Sequence, residues 1–550
     1  MRTHVERLDG GAIAAWAVGA AEALEAVRGP IDALNVFPVA DADTGTNLHL
    51  TIAAGAQEVV DAPQATALEA TRSFARGALL GARGNSGVIA SQFLLGLAQG
   101  FELGVPDGVG LARALDVAQA AARVSVACPV EGTILSAASA SAVAAAAVAD
   151  AGGDLAATAV AALGGARAAL LRTPDELAVL RAAGVLDAGA TGLVVILEAL
   201  VVIVTGRPAP GAVPIAARAR VEPVGPVAGP GVEPVASPGA EPDSGRGAEP
   251  ARHGEFEVMF VVESDVADLA PELSRRLQVL GESVAVVGGG GVWQAHVHTD
   301  DPAAAVVAGA LGVQRQITVR QLRPHAADEL AGRARPEPIE PASADAGPLG
   351  LVVGTRAPGL VRSLARTGAV VMVLTGAPVT ASSVLRAVVD TGAARVAVLP
   401  GSPQACTAAL AAAGLAKARV QVFDAVDDMR VVAGLAAVVA RRSAPRGAAD
   451  GAPAADIGVE LDAIRRAVGD VRTAELGAVD DEVVDGAAAL TVADELLASG
   501  GEVLTLLRGA DARDGVMEAL LGHLAGTYPA LEVVVLDGGQ ARPVVAMALE

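Results

Sequence analysis

The sequence predicts a multidomain protein with an all-α domain first, a small α+β domain next and an α/β domain at the C-terminus. Three observations support this division. At 550 residues, the chain is too long for a single hydrophobic core. Two stretches rich in Pro, Gly, Ala and Glu interrupt it, at 207–252 and 324–347. Apolar residues recur at helical spacing before the first stretch, whereas short apolar runs typical of strands dominate after the second.

Residues 1–206 form the predicted all-α domain. Apolar positions repeat at helical spacing without strand-like alternation, and the clearest predicted helices are 10–28, 66–80, 109–126 and 154–171. The most apolar run, 193–204, contains Glu198 and is shorter than the ~20 residues that a membrane span requires. We therefore expect a buried helix there and no stable membrane insertion.

Four small polar segments, each followed by an apolar helical run, are the main functional signal of this domain. They lie at 41–47, 81–87, 129–133 and 187–192. Helix N-termini expose unpaired N–H groups and the positive end of the helix dipole, so several of them gathered at one end of a bundle would bind an anion such as a phosphate.

The first polar segment also carries two carboxylates. Asp41 and Asp43 are two residues apart beside Gly45, so both can point at one hard cation, and Mg²⁺ favours such oxygen ligands. The alternative is a solvated turn before an N-capped helix, since Asp, Thr, Gly and Asn are common in both.

The middle domain is predicted at 253–323. Its expected elements are a strand at 255–263, a helix at 265–280, a hairpin of strands 283–287 and 292–298, and a helix at 303–311. His296 and His298 are two apart on the last strand of the hairpin, so they share a face and could share a metal. Hydrogen-bonded or solvated histidines on an edge strand are the alternative.

The C-terminal domain is predicted at 348–550, with a break near 443–456. Near-continuous apolar strands at 349–353, 370–374, 395–399 and 420–423 alternate with helices such as 380–390 and 404–414, which is typical of a parallel sheet covered on both faces. A strand, a helix and two further strands follow at 503–508, 514–526, 531–536 and 544–549.

Composition excludes some functions. The net charge is −22, from 40 basic and 62 acidic residues, and only 2% of residues are aromatic, so nucleic acid is not an expected partner. Cys128 and Cys406 fall in different predicted domains, which favours a reducing compartment. We find no signal-peptide pattern near the N-terminus and therefore expect a cytoplasmic protein.

The motifs resemble those of a known family. N-V-F-P-V-A-D-A-D-T-G-T-N at 35–47, G-A-R-G-N-S-G-V-I at 81–89, P-V-E-G-T-I-L at 129–135 and D-A-G-A-T-G-L at 187–193 are similar to the nucleotide-binding domain of dihydroxyacetone kinases, in the version found in bacterial fatty acid kinases of the FakA type. H-V-H-T-D-D-P at 296–302 resembles the middle domain of that family. The G-G-Q at 538–540, followed by a final strand, resembles its C-terminal, DegV-like domain.

The resemblance implies a barrel of antiparallel helices with ATP and two Mg²⁺ ions at one end. It assigns Asp41 and Asp43 to the metal ions, with Asn35 as a weaker metal candidate where dihydroxyacetone kinases have a third Asp. Arg83 is the candidate for stabilising charge on the transferred phosphoryl group, and a structural clamp is its alternative role. The residues expected to surround the nucleotide are Thr44, Gly45, Thr46, Asn47, Asn85, Ser86, Gly87, Thr133, Asp187 and Gly189. One departure is Ala42, where the family usually has Gly.

The family's middle domain can carry a zinc site completed by a cysteine on the first strand. This chain has Glu257 near that position. Glu257, His296 and His298 are therefore the candidate second metal site, for Zn²⁺.

The predicted function is an ATP- and Mg²⁺-dependent kinase that phosphorylates the carboxylate of a fatty acid. By resemblance, a separate fatty-acid-binding carrier of the FakB or DegV-like kind presents the acid and docks on the C-terminal domain. A carboxylate is already ionised at neutral pH and needs no general base, and no histidine lies in the four motifs. The alternatives are the ATP-binding component of a glycerone or polyol kinase, and a non-catalytic nucleotide-sensing scaffold. The acyl-chain preference, the carrier's identity and the oligomeric state, including a homodimer, stay open.

Overall fold

The structure is a computed structural model that describes residues 5–38, 42–126, 129–209, 254–266, 268–289, 291–322, 348–443, 457–477 and 486–550. Asp41 and Cys128 lie outside the described residues, and so do nearly all of the two predicted linkers and of the predicted break at 443–456. The chain divides into two compact units, Met1–Gly254 and Glu255–Glu550.

The described part of the first unit is helical, as predicted. Its helices are α1 Gly10–Asp32, α2 Thr44–Asp61, α3 Ala67–Gly81, α4 Gly84–Phe101, α5 Gly108–Val124, α6 Ile134–Asp150, α7 Leu155–Glu176, α8 Ala178–Ala183 and α9 Ala188–Thr205. Each of α1 to α7 packs on the next helix in sequence, and α9 packs on both α7 and α1. The helices therefore form a closed ring, which confirms the helical barrel that the resemblance implies.

The centre of this ring is filled by apolar side chains from every long helix. Trp16 of α1 and Phe74 of α3 meet edge to face, with ring centroids 5.4 Å apart, and the Trp16 indole N–H donates to the Ile196 carbonyl of α9 at 2.9 Å. Alanines and glycines line the helix contacts, which lets the helices approach closely. A Cβ at Gly100 of α4, for example, would lie 2.3 Å from the Cα of Ala114 on α5.

Two predicted helix starts are too late. The run predicted from residue 88 begins at Gly84, and the run predicted from residue 193 begins at Ala188. Small polar residues in a first helical turn look like loop in a sequence, because the exposed N–H groups of that turn need no apolar neighbour. The polar motifs are therefore largely the first turns themselves.

Within the described part of the first unit, three helices are long and apolar enough to cross a membrane by length and composition alone: Gly10–Asp32, Leu155–Glu176 and Ala188–Thr205. In the structure all three belong to the closed ring. Of the most apolar window, in Ala188–Thr205, 78% is buried there, as expected for a core helix of a bundle.

The second unit is an α/β structure. Its strands are β1 Phe256–Glu263, β2 Gly281–Gly289, β3 Val292–Thr299, β4 Val313–Gln321, β5 Gly350–Thr355, β6 Val370–Val373, β7 Arg395–Leu399, β8 Arg419–Val422, β9 Arg472–Leu476, β10 Val503–Arg508, β11 Glu532–Asp537 and β12 Val545–Leu549. Its helices are α10 Ala270–Leu280, α11 Pro302–Ala308, α12 Val361–Arg366, α13 Ala381–Asp390, α14 Pro403–Ala413, α15 Asp428–Ser443, α16 Ile457–Asp470, α17 Gly486–Leu497 and α18 Asp514–Thr527, with a short 3-10 turn at Pro358–Leu360.

One sheet joins the predicted middle domain to the first part of the predicted C-terminal domain. Its strand order is β2-β3-β1-β4-β6-β5-β7-β8. The connection is antiparallel pairing of β4 with β6, in which Thr318 faces Met372 and Val319 faces Val371. The sequence did not predict β4, because its Q-R-Q-I-T-V-R-Q run is mostly polar and only its centre is buried.

The strand order also corrects the position of the two histidines. The prediction that they lie on an edge strand is wrong, because β3 is paired on both sides, with β2 and with β1. The middle-domain helix starts at Ala270 instead of residue 265, with a proline in its first turn.

The parallel sheet predicted for the C-terminal region is confirmed. β6, β5, β7 and β8 pair in parallel in that order. A separate four-stranded sheet of order β11-β10-β12-β9 follows. Its strands β10, β11 and β12 were predicted, whereas β9, which pairs antiparallel with β12, was not.

Candidate active site

The four polar motifs form the N-termini of α2, α4, α6 and α9, and the structure brings these four ends together. Sequential helices of the ring run in alternating directions, so α2, α4 and α6 start at the same end. Glycine contacts show the proximity directly. A Cβ at Gly84 of α4 would lie 2.5 Å from Asn47 Nδ2 of α2, and one at Gly192 of α9 would lie 2.2 Å from Leu48 Cδ1 of α2. A Cβ at Gly189 of α9 would lie 3.2 Å from the Cβ of Ile134 on α6.

The described residues 42–47 of the first motif lead into α2 and form its first turn. Asp43 is the N-cap residue, while Thr44, Gly45, Thr46 and Asn47 form the first turn. Thr44 and Asn47 are buried at 8% and 7% exposure. These residues therefore lie at the end of the ring where the resemblance places the nucleotide.

Ala42, just before α2, is the position where the sequence departs from the family pattern. Ala42 has φ 54°, in the left-handed region where an L residue other than Asn or Asp is uncommon. This explains the usual glycine at that position. Asn35, the third metal candidate, is buried at 6% exposure, and its backbone N–H donates to the Asp32 carbonyl at 3.1 Å.

Asp32 is a residue of this site that the sequence reasoning missed. It is the last residue of α1, and its carboxylate accepts hydrogen bonds from the Thr46 N–H at 2.9 Å and from the Thr46 hydroxyl at 2.7 Å. One signal was available, because an acidic residue in the last turn of a helix opposes the helix dipole. A residue placed against that local preference is a candidate for a role outside its own helix.

The second motif lies at the start of α4. Asn85, Ser86 and Gly87 are in its first turn, and Arg83 is the N-cap residue. Arg83 is only 6% exposed, and its backbone N–H donates to Thr51 Oγ1 of α2 at 3.1 Å. Arg83 is therefore a buried cation at the start of α4, and its backbone contacts Thr51 of α2.

The third and fourth motifs are joined by a buried carboxylate. Asp187 caps α9 by accepting the Ala190 N–H at 2.7 Å, and it also accepts N–H groups of Gly189 and of Ile134, the first residue of α6. Burial raises the pKa of Asp187 to about 7, although the three hydrogen bonds oppose the rise. Thr133 caps α6 through the Leu135 N–H at 3.3 Å. Both predicted nucleotide residues therefore shape the helix ends of this site.

A second group of predicted residues meets in the other unit. Glu257 of β1 and His296 and His298 of β3 are buried, and one potential ligand atom from each lies within 4.8 Å of the others. His296 Nε2 is 2.9 Å from Glu257 Oε1, while its Nδ1 is 3.2 Å from the Ser283 carbonyl oxygen. Arg320 of β4 donates to the other oxygen of Glu257.

The chemistry of this donor set fits a metal ion. Two imidazoles and a carboxylate form a known zinc donor set, and a ligating histidine usually donates its second N–H to an acceptor such as a backbone carbonyl. Both nitrogens of His296 face acceptor oxygens. Glu257, His296 and His298 therefore offer a carboxylate oxygen and imidazole nitrogens that could serve as ligands to one metal ion.

Comparison with known families identifies the class of protein. Residues 38–202 match the DAK2 domain, residues 253–328 match the middle domain of FakA-like fatty acid kinases, and residues 476–550 match the C-terminal domain of FakA-like fatty acid kinases. The first match covers α2 to α8 and nearly all of α9, with all four helix ends, and a DAK2 domain implies nucleotide use. The three domains in this order define a kinase of modular construction. The chain belongs to the family of FakA-type fatty acid kinases.

Two relatives match nearly the whole chain, and a third matches part of it. Protein YloV of Bacillus subtilis (strain 168) is 26% identical over 563 residues, which cover 98% of both chains. An uncharacterized protein of Staphylococcus aureus (strain USA300) is 25% identical over 561 residues, again 98% of both chains. An uncharacterized protein of Staphylococcus haemolyticus is 36% identical over 204 residues, 37% of each chain.

Proposed function

We propose that this protein is an ATP- and Mg²⁺-dependent kinase that phosphorylates the carboxylate of a fatty acid presented by a separate carrier protein. The products are an acyl phosphate and ADP. The observation that carries the proposal is the convergence of four helix N-termini beside Asp43 at one end of the ring, in a chain of the fatty acid kinase family. N–H groups and dipoles aimed at one point are suited to a triphosphate.

Within this proposal, Asp41, Asp43 and Asn35 would hold the magnesium ions. Carboxylate and amide oxygens are hard ligands, which suits Mg²⁺. When bound, Mg²⁺ neutralises charge on the β- and γ-phosphates. Arg83 adds positive charge from the start of α4, and the first turns of α2 and α4 orient the phosphates through backbone N–H groups.

The acceptor carboxylate attacks the γ-phosphorus as an anion. The bond from the γ-phosphorus to the oxygen bridging it to the β-phosphate breaks, and ADP leaves with that electron pair. No proton has to be removed from the acceptor, so no general base is required. His49, the histidine nearest the first motif in sequence, donates its Nδ1–H to the Ala21 carbonyl of α1 at 3.1 Å, which is a packing role.

A separate carrier is favoured by the small interior of the ring. The apolar cavity lined by Ile52, Ile89, Phe93, Ile134, Leu193 and Ile196 has a volume of about 10 Å³. That is room for roughly one water molecule, whereas ligand pockets usually measure ~300–1,000 Å³. A long acyl chain therefore needs to be held elsewhere, and docking of a FakB or DegV-like carrier on the C-terminal domain completes the proposal.

The proposal also covers the second unit and the cellular location of the protein. Glu257, His296 and His298 would hold a Zn²⁺ ion that links β1 to β3 and takes no part in phosphoryl transfer. The protein would work in the cytoplasm, where fatty acids and ATP are both present.

The test is release of ADP by the full-length protein with Mg²⁺, ATP and candidate carriers loaded with a fatty acid. Turnover is expected only when the loaded carrier is present, and omission of Mg²⁺ should abolish it. Turnover of glycerone without any carrier would favour the polyol kinase instead. Unchanged cellular function of an Asp43→Ala variant would favour the nucleotide-sensing scaffold.

A further inference from the structure

The N-terminus of α2 is capped by a residue of another helix. The side chain of an N-cap residue usually accepts the N–H of the second or third residue of its own helix. In α2 these are the N–H groups of Gly45 and Thr46, and both are donated to the carboxylate of Asp32 at the end of α1. The Thr46 hydroxyl donates to the same carboxylate at 2.7 Å.

Other described helices of the ring show the usual arrangement, and three examples have an aspartate as the cap. Asp9 caps α1 by accepting the Ala12 N–H at 2.8 Å, Asp154 caps α7 by accepting the Ala157 N–H at 2.8 Å, and Asp187 caps α9 in the same way. These three aspartates have extended backbones, whereas Asp43 has φ −130° and ψ 0°. Among the described residues of α2, none donates a capping hydrogen bond to the Asp43 side chain.

We infer that Asp32 is a positioning residue for the start of α2: it caps this helix from α1 and thereby fixes Asp43 and Thr46 where the Mg²⁺–ATP complex is proposed to bind. The inference rests on the proposed function. It assigns two neighbouring carboxylates to two tasks, one to hold the helix and one to bind the ligand.

The local packing supports this division. A Cβ at Gly45 would lie 2.3 Å from the Arg28 carbonyl oxygen and 3.0 Å from Asp32 Oδ1. Only glycine lets the end of α1 approach the first turn of α2 so closely. One carboxylate therefore joins the end of α1 to the first turn of α2.

The electrostatics of Asp32 and Asp43 also support the inference. Burial raises the pKa of Asp32, the hydrogen bonds from Thr46 and Gly45 oppose this, and the negative charge of Asp43 adds to the rise. A divalent cation bound by Asp43 would offset the repulsion between the two carboxylates.

The experiment compares Asp32→Asn with Asp9→Asn in the full-length protein. Both substitutions change a carboxylate that caps a helix: Asp32 caps α2 and Asp9 caps α1. Asp9 is exposed and lies at the opposite end of α1 from Asp32. Nucleotide binding is measured by calorimetry over a range of Mg²⁺ concentrations, and unfolding temperature by scanning calorimetry. We expect Asp32→Asn to raise the Mg²⁺ concentration for half-maximal nucleotide binding about ten-fold, which is typical of lost support to a metal ligand. Asp9→Asn should leave it unchanged.

An Asp32→Glu variant is made in parallel, because it keeps the charge and lengthens the side chain. It should also raise the Mg²⁺ requirement, and it decides the question if Asp32→Asn does not fold. A lower unfolding temperature with unchanged Mg²⁺ dependence in the folded variants would overturn the inference and leave Asp32 as a structural cap. Lack of Mg²⁺-dependent nucleotide binding by the wild-type protein would instead overturn the proposed function itself.

Discussion

The N-termini of α9 and α2 have the same residue type at the same formal position, but they are built differently. Asp187 caps its own helix, is 5% exposed and also accepts the Ile134 N–H of α6, so it ties two helix ends together. Asp43 is half-buried, and the capping of α2 is done by Asp32. The comparison shows that an aspartate before a helix can be part of the framework or part of a ligand site. Which role it takes is decided by the residues that reach its helix from elsewhere.

Among the substitutions that would test this comparison, Asp43→Asn is expected to have the largest effect. Loss of a metal-binding carboxylate should lower ATP turnover at least ~100-fold, since Mg²⁺ carries most of the phosphate charge compensation. The unfolding temperature should change by less than ~2 °C, because the Asp43 side chain does not cap the described α2. ADP release and scanning calorimetry measure the two quantities.

Asp154→Asn is the matched control for that prediction, because Asp154 caps α7 and is not among the candidate ligand residues. It should keep full turnover. If the Asp43→Asn protein retains turnover, or if its unfolding temperature falls by several degrees, Asp43 belongs to the framework as Asp187 does.

The opposite pattern is expected for Asp187→Ala. The substitution leaves three buried N–H groups without their acceptor and should lower the free energy of unfolding by about 2 kcal/mol. Turnover per folded molecule should fall less than for Asp43→Asn. Urea unfolding measures the free energy, and an unchanged unfolding midpoint would contradict the framework role.

The pH dependence of stability offers a finer test of Asp187. Its pKa is about 7 in the folded protein and 3.8 is the ordinary value, so the folded state binds this proton more tightly than the unfolded state does. The stabilisation by protonation is fully present below about pH 4 and is lost as the pH rises to about 7. Relative to Asp187→Asn, the wild-type protein should therefore lose stability over this range, by at most roughly 1.4 kcal/mol per pH unit. A difference in unfolding free energy that does not vary with pH would show that the carboxylate is not buried as described.

Sequence reasoning reached the fold class and the four helix ends because both depend on local patterns. Apolar spacing identified the helices of the ring, and small polar residues identified the first turns that meet at one end. It missed Asp32 because the interaction with Thr46 joins residues 14 apart across a loop, which no period or spacing reveals. It missed β4 for a similar reason, since that strand is defined by its partners β1 and β6 more than by its own polar sequence.

Glu257 in the second unit raises the same question, namely whether a carboxylate stabilises the framework or binds a ligand. The smallest experimental effect is expected at this residue. Burial by itself raises the pKa of Glu257, but the Arg320 guanidinium and the hydrogen bond from His296 lower it well below its usual value. If the group binds zinc, elemental analysis should find about one zinc per chain, and a chelator should lower the unfolding temperature of the wild-type protein by a few degrees. Glu257→Gln should abolish both effects, whereas Asp300→Asn, at an exposed carboxylate just after β3, should abolish neither. Absence of zinc with an unchanged unfolding temperature would mean that the Arg320 guanidinium balances Glu257 without a metal ion, and Glu257 would then join Asp187 as a framework carboxylate.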